Sequence, residues 1–144
     1  CDLGLEVTLL RPPGYGLDPE VVTAARARAE AQGGSLVETD DIEAAYKGAE
    51  VVCAKSWSRL DAYGRFDEEL AARAALRPTW IVDEAKMART KSAWFMHCLP
   101  VRRNVIVTDA VLDSPRSAVV DQAENRLWTA AAVFAALAGP RARG

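Results

Sequence analysis

Histidine is nearly absent from this sequence. The single one, His97, rules out a multi-histidine metal site within the 144 residues. Cysteine is sparse too. Cys1, Cys53 and Cys98 are far apart, odd in number and without CxxC or CxxH spacing, which argues against a disulfide framework and a zinc knuckle. Cysteine use of this kind points to a cytoplasmic protein. No apolar run reaches the roughly 18 residues a spanning helix needs, so no membrane segment is expected. The first residues show no basic stretch leading into an apolar run, so no signal peptide is visible. Lys plus Arg number 18 and Asp plus Glu 20, a net charge of −2. That balance argues against a dedicated nucleic-acid binder. The stretch Arg11-Pro12-Pro13-Gly14-Tyr15-Gly16 lacks the GxGxxG order of a dinucleotide site. A GxSxG nucleophile elbow is also missing.

What is present is ordinary globular material, half apolar and 26% charged, enough for the core of one domain. Strand-like and helix-like segments alternate. Glu6 to Leu10 reads as a strand. A helix capped by Asp18, with Pro19 at its first position, runs to about Gln32, with Val21, Val22, Ala25 and Ala29 on its apolar side, and Gly33-Gly34 ends it. Leu36 to Glu38 reads as a strand. Ile42, Ala45, Tyr46 and Ala49 share one face of a short helix capped by Asp40 or Asp41. Val51 to Ala54 is a buried-strand pattern, followed by a polar stretch from Lys55 to Asp67. Residues 67–76 are helical in propensity, Pro78 is expected to break the chain, and Trp80 to Arg89 reads as another helix. Trp94 to Cys98 is a strand, Asp109 to Leu112 a helical turn, and Ser117 to Val120 a last strand. In the final helix Leu127, Ala130, Ala131, Phe134 and Leu137 form one stripe, and Gly139-Pro140 stops it.

This alternation predicts an α/β fold, a doubly wound, mainly parallel sheet of Rossmann-like type. Ligands of such sheets bind beyond the C-terminal ends of the strands. Three places then become candidates. The strongest is His97-Cys98-Leu99-Pro100-Val101-Arg102-Arg103-Asn104, where Pro100 ends the strand and the arginines could grip a carboxylate or phosphate. Its competitor is a packed strand followed by a solvated turn. The second is Ala54-Lys55-Ser56-Trp57, where Lys55 stands at the end of a buried strand and must face a crevice or solvent. The third is Ala123-Glu124-Asn125-Arg126-Leu127, read as lying at the start of the last helix, where Arg126 could hold phosphate. A salt bridge from Arg126 to Glu124 or Asp121 is the competing reading. Trp80, Trp94, Trp128 and Phe134 read as core or interface residues.

His97-Cys98-Leu99-Pro100 and the following Val101-Arg102-Arg103-Asn104 resemble the amino-acid-side motif of the aspartate/ornithine carbamoyltransferase family, in its C-terminal domain. Glu124-Asn125-Arg126 is similar to the family's late arginine motif. The Val-Arg-Arg-Asn run and Ala54-Lys55-Ser56-Trp57 resemble the branch acting on N-acetylornithine or N-succinylornithine. Ornithine enzymes usually carry Ser-Met-Gly after the tryptophan, where this sequence has Ser58-Arg59-Leu60. The resemblance spans essentially the whole sequence and implies carbamoyl transfer from carbamoyl phosphate to the side-chain amine of an N-acyl-ornithine. It implies that the Cys98 and Leu99 region positions the reacting groups, that Arg126 contacts carbamoyl phosphate, and that Lys55 and Arg102 contact the substrate carboxylate. Trp57, His97 and Pro100 complete the implied substrate site. No cofactor or metal is implied, and the implied assembly is a homotrimer.

Some acetylornithine enzymes carry lysine where this sequence has Ile106, and the substitution favours the succinyl type. The family's carbamoyl-phosphate motif belongs to an N-terminal domain with no counterpart here. Residues 1–144 therefore read as a partial amino-acid-binding domain, not catalytic alone. Leu3-Gly4 reads as the C-cap of a helix that is not included, and a central strand is expected to be missing. The competing readings are a non-catalytic amino-acid-binding or regulatory module, and an ornithine carbamoyltransferase.

Overall fold

A computed structural model describes residues 3–138; residues 1–2 and 139–144 lie outside the described part. The stop at Gly139-Pro140 lies outside it, whereas Leu3-Gly4 lies inside, with Gly4 at the positive φ of +69° that a C-cap glycine takes. The order of elements is β1 (Glu6–Leu10), α1 (Pro19–Ala31), β2 (Ser35–Thr39), α2 (Ile42–Tyr46), β3 (Val51–Cys53), α3 (Phe66–Trp80), α4 (Glu84–Met87), β4 (Trp94–Met96), α5 (Asp109–Leu112) and α6 (Val119–Ala138). A short 3-10 turn at Leu60–Ala62 precedes α3.

The fold is α/β with parallel strands, as the alternation predicts. The continuous doubly wound sheet does not form among the described residues. Two separate parallel pairs stand in its place, β1 with β2 and β3 with β4. Each pair has its own core. Behind β1 and β2 lie Val22, Ala29 and Leu36. Beside β3 and β4 lie Val82, Phe95, Val107, Val111, Leu112 and Val119. Helix α2 touches both β1 and α4, and so links the halves. Residues of β1 and β3 line one groove of about 570 Å³, yet the two strands do not pair.

The caps are legible in sequence. Asp18 accepts from the Glu20 backbone N–H at 2.8 Å and Asp41 from that of Ala44 at 3.0 Å. Gly34 is required by close approach, since a Cβ there would lie 2.4 Å from the Leu5 carbonyl oxygen. Val21, expected on the buried side of α1, is 59% exposed.

Three boundaries differ from expectation. Pro78 does not break the chain but sits in the last turn of α3, where it withholds one helical hydrogen bond and the helix has little further to run. Trp80 to Arg89 is not one helix. Val82 leaves α3 to pair in parallel with Val107, its N–H donating to the Ile106 carbonyl at 2.9 Å. Burial of a β-branched residue in the core outweighs helical continuation there. Ser117 to Val120 is not a strand either. Ser117 makes one bridge to Phe95, and α6 already begins at Val119. Among the described residues of α6 only Val119 is buried, so the stripe from Leu127 to Leu137 does not face the core of this chain.

Candidate active site

Register builds the site. Cys53 pairs with Met96 at the parallel ends of β3 and β4, and the Ala54 N–H donates to the Met96 carbonyl at 3.0 Å. Two residues further along each strand, the same register brings Lys55 beside Cys98. The Lys55 Nζ donates to the Cys98 Sγ at 3.1 Å. β4 stops at Met96, two residues earlier than expected. His97 is buried, and its Nδ1 lies against the Cys98 carbonyl oxygen, leaving Nε2 without a partner among the described residues. Leu99 and Pro100, joined by a cis peptide bond, are exposed next to this pair.

The adjacent arginines have opposite fates. The Arg103 guanidinium donates to Asp113 twice at 2.7 Å and to Asp109 at 2.8 Å. Asn104, at φ +56°, donates to Asp109 and accepts from its backbone N–H. Together they tie the loop to α5. Arg102 is left facing the site, and its Nη2 donates to the Ser56 Oγ at 3.4 Å.

The hydrogen bonds from Arg103 hold the Asp113 and Asp109 carboxyls below the usual carboxylate range, and Asn104 adds to the effect on Asp109. A carboxyl lowered on folding stabilises the fold above its unfolded pKa, and this contribution is lost as pH falls through the folded value. Thermal stability is therefore expected to drop as pH falls below about 4. Arg103→Ala should flatten that acid limb in melts taken across pH. An acid limb identical in both proteins would refute the assignment.

Trp57 is packed edge-on against buried Tyr15, with ring centroids 4.8 Å apart at 77°. Its carbonyl accepts from the Arg73 Nη1 at 3.3 Å. Arg73 and Arg59 both reach the buried Glu69, at 3.7 and 3.3 Å. Residues 55–67, which show no periodicity, are thus anchored to α3 through Glu69. The Glu69 and Arg73 spacing of four was the available signal, since it places both on one helix face. Tyr15, Arg73 and Arg77 were not singled out in sequence. A second cavity, of about 240 Å³, lies among Trp57, Leu70, Arg73, Arg77, Arg102 and Ile106.

Arg126 is not at a helix N-terminus. Because α6 starts at Val119, Arg126 lies about two turns inside it. It is exposed and makes no hydrogen bond or ion pair among the described residues. The Glu124 carboxylate accepts instead from the Trp128 indole at 3.3 Å. The structure therefore brings together Lys55, Cys98, Ser56 and Arg102, with Trp57 near them, and it does not bring Arg126 into contact with them. No group of three or more His, Cys, Asp or Glu side chains is placed to hold a metal among the described residues. No described helix is long and apolar enough to cross a membrane.

Fold and site together define a parallel α/β domain with cationic side chains, Lys55 and Arg102, gathered at its strand ends. Residues 1–137 match the model of the aspartate/ornithine carbamoyltransferase Asp/Orn binding domain, and the chain belongs to that family. It is 48% identical over 138 residues to N-acetylornithine carbamoyltransferase of Xanthomonas campestris pv. campestris, covering 95% of this chain and 40% of that protein. It is 40% identical to N-succinylornithine carbamoyltransferase of Bacteroides fragilis, covering 90% of this chain and 36% of that protein. A crystal structure of acetylornithine transcarbamylase complexed with acetylcitrulline superposes with a TM-score of 0.85 at 47% identity, over 92% of this chain and 40% of that one. The chain thus spans about two fifths of the length of these relatives.

Proposed function

We propose that the protein transfers a carbamoyl group from carbamoyl phosphate to the side-chain amine of an N-acylated ornithine, giving N-acyl-citrulline and phosphate, as a step of arginine biosynthesis. The observation that carries this reading is the meeting of Lys55 and Cys98 at the ends of β3 and β4, with Arg102 beside them, in a chain of this family. The similarity to both N-acetyl and N-succinyl enzymes supports the acylated substrate.

The chemistry suits these residues. The neutral amine nitrogen bonds to the carbamoyl carbon while the bond from that carbon to the phosphate oxygen breaks. The leaving phosphate takes the electron pair, and one amine proton is released to phosphate or solvent. Lys55 and Arg102 hold the carboxylate of the acyl-ornithine. Cys98, Leu99 and Pro100 line the path of the amine, and His97 supports that turn from beneath. Trp57 forms a wall. Arg126 contacts carbamoyl phosphate, where a guanidinium favours the charge that develops on the leaving group. The larger gain comes from holding two substrates in line.

Residues 1–144 form part of the amino-acid-binding domain in this reading. The carbamoyl-phosphate domain belongs to the rest of a longer protein, and three copies assemble as a homotrimer. Arg126, isolated here, meets its ligand only when that further domain faces α6. Strands β1 and β3, each with one edge unpaired among the described residues and both lining one groove, support an additional central strand.

The test is a citrulline-product assay on the full-length protein with carbamoyl phosphate and, in turn, ornithine, N-acetylornithine and N-succinylornithine. Turnover of the N-acyl substrates is the expected result. Turnover of free ornithine alone would overturn the acyl specificity, and no turnover of any would favour a binding module.

A further inference from the structure

Backbone pairing stops short of the residues that face the site. The Ala54 N–H donates to the Met96 carbonyl. Residues 55–58 then make no backbone–backbone hydrogen bond among the described residues, until the Arg59 carbonyl accepts from the Ala62 N–H. Lys55, Ser56 and Trp57 therefore take their places from side-chain contacts.

Two of these contacts run to α3. The Arg73 Nη1 donates to the Trp57 carbonyl, and the Arg59 Nε donates to the Glu69 Oε2, each at 3.3 Å. Both arginines share one carboxylate, since the Arg73 Nε also lies 3.7 Å from the Glu69 Oε1. Glu69 is only 3% exposed, and a buried carboxylate needs cations to compensate it. Tyr15 adjoins the same cluster. Burial first, and then the nearby Glu69 carboxylate, push the Tyr15 phenol above its ordinary value, while Arg59 and Arg73 oppose this. Trp57 is thus held at its carbonyl by Arg73 and at its ring by Tyr15, with Glu69 beside both.

The Arg59 and Arg73 side chains keep 30% and 23% exposure. Without the Glu69 charge both guanidiniums can turn to water. The segment they hold would move, while the core around Phe95 and Val107 lies elsewhere.

We propose that Glu69 is a positioning residue for the substrate site. By holding Arg59 and Arg73 it fixes residues 55–59, and so places Lys55 and Trp57 against the N-acyl-ornithine. This role rests on the carbamoyl-transfer reading above and adds to it a residue of α3 that touches no substrate. Lys55, bonded to the Cys98 Sγ at 3.1 Å, lies two residues from Trp57 and moves with the segment. Arg126 stands on α6, outside this network, so carbamoyl phosphate should not feel the change.

The test uses the full-length protein and its Glu69→Gln, Glu69→Asp and Arg59→Gln variants. Tryptic cleavage after Lys55 of the native protein, followed by mass spectrometry, reads the segment directly and needs no activity. Glu69→Gln should speed that cleavage about tenfold and raise KM for the N-acyl-ornithine about tenfold, leaving kcat and KM for carbamoyl phosphate within about twofold. Glu69→Asp keeps the charge and should recover part of both effects. Arg59→Gln removes one partly exposed arm and should show both more weakly. A role in stability alone would lower the active fraction, and hence kcat, and leave both KM values unchanged. That pattern, an equal rise in both KM values, or cleavage as slow as in the parent overturns the proposal while the carbamoyl-transfer reading stands. If Glu69→Gln does not fold, the two milder variants decide by the same readings. Failure of the parent to turn over any N-acyl-ornithine overturns the carbamoyl-transfer reading, and the substrate role with it.

Discussion

Arg102→Ala is expected to raise KM for the N-acyl-ornithine about 10- to 100-fold, with little change in KM for carbamoyl phosphate. The size follows from losing a charge-assisted contact to a carboxylate, roughly 1.5–3 kcal/mol. The asymmetry follows from the fold. Among the described residues the Arg102 side chain bonds only Ser56, on the same loop as Lys55, while Arg126 stands apart on α6. Arg103→Ala is the natural control. Its guanidinium is committed to Asp109 and Asp113, so its removal loosens the turn without removing a substrate contact. Steady-state kinetics with each substrate varied in turn reads the outcome. Equal losses for both substrates in Arg102→Ala would remove its assigned role.

The 144 residues by themselves are expected to give no cooperative monomeric melt. Among the described residues β1 and β3 each pair on one edge only, and residues of both line one groove. The N–H and C=O groups on the other edges have no partner in a ladder, and such edges invite association. The far part of α6 adds to the problem, because Trp128, Phe134 and Leu137 are 61%, 70% and 77% exposed. An apolar surface of that kind drives aggregation unless something covers it. Circular dichroism melts with sedimentation of the same sample test this. A sharp, concentration-independent transition of a monomer would show that the two halves stabilise each other without a further strand. If an upstream segment fills the groove, extending the chain to include it should restore cooperativity.

Local signals in the sequence were reliable where the determinant was local. The Asp18 and Asp41 caps, the glycine turn after α1, and strands β1 to β3 follow from residues within a few positions. Local reading failed where a distant partner decided. Val82 abandons the helical pattern because Val107 lies beside it, and α6 begins at Val119 because Ser117 and Ala118 meet Phe95 from outside the helix. The site was legible in part. Lys55 and Cys98 each stood at an expected strand end, and only the parallel register makes them neighbours. Nothing in the run Arg102-Arg103 distinguishes the two arginines. The aspartates of α5 do so in space.

The sequence by itself determined the parallel α/β order of elements, the family motifs, and the strand ends at which a ligand site would form. These depend on patterning, caps and short spacings, which are properties of neighbouring residues. The tertiary structure alone decided which cations remain without a carboxylate among the described residues, that β1 and β3 each leave one edge unpaired along a groove, and that Arg77 and Arg102 line one cavity. Those outcomes depend on which residues, tens of positions apart, meet across strands and helices. Charge pairing and burial are settled by that meeting, and no local pattern encodes it.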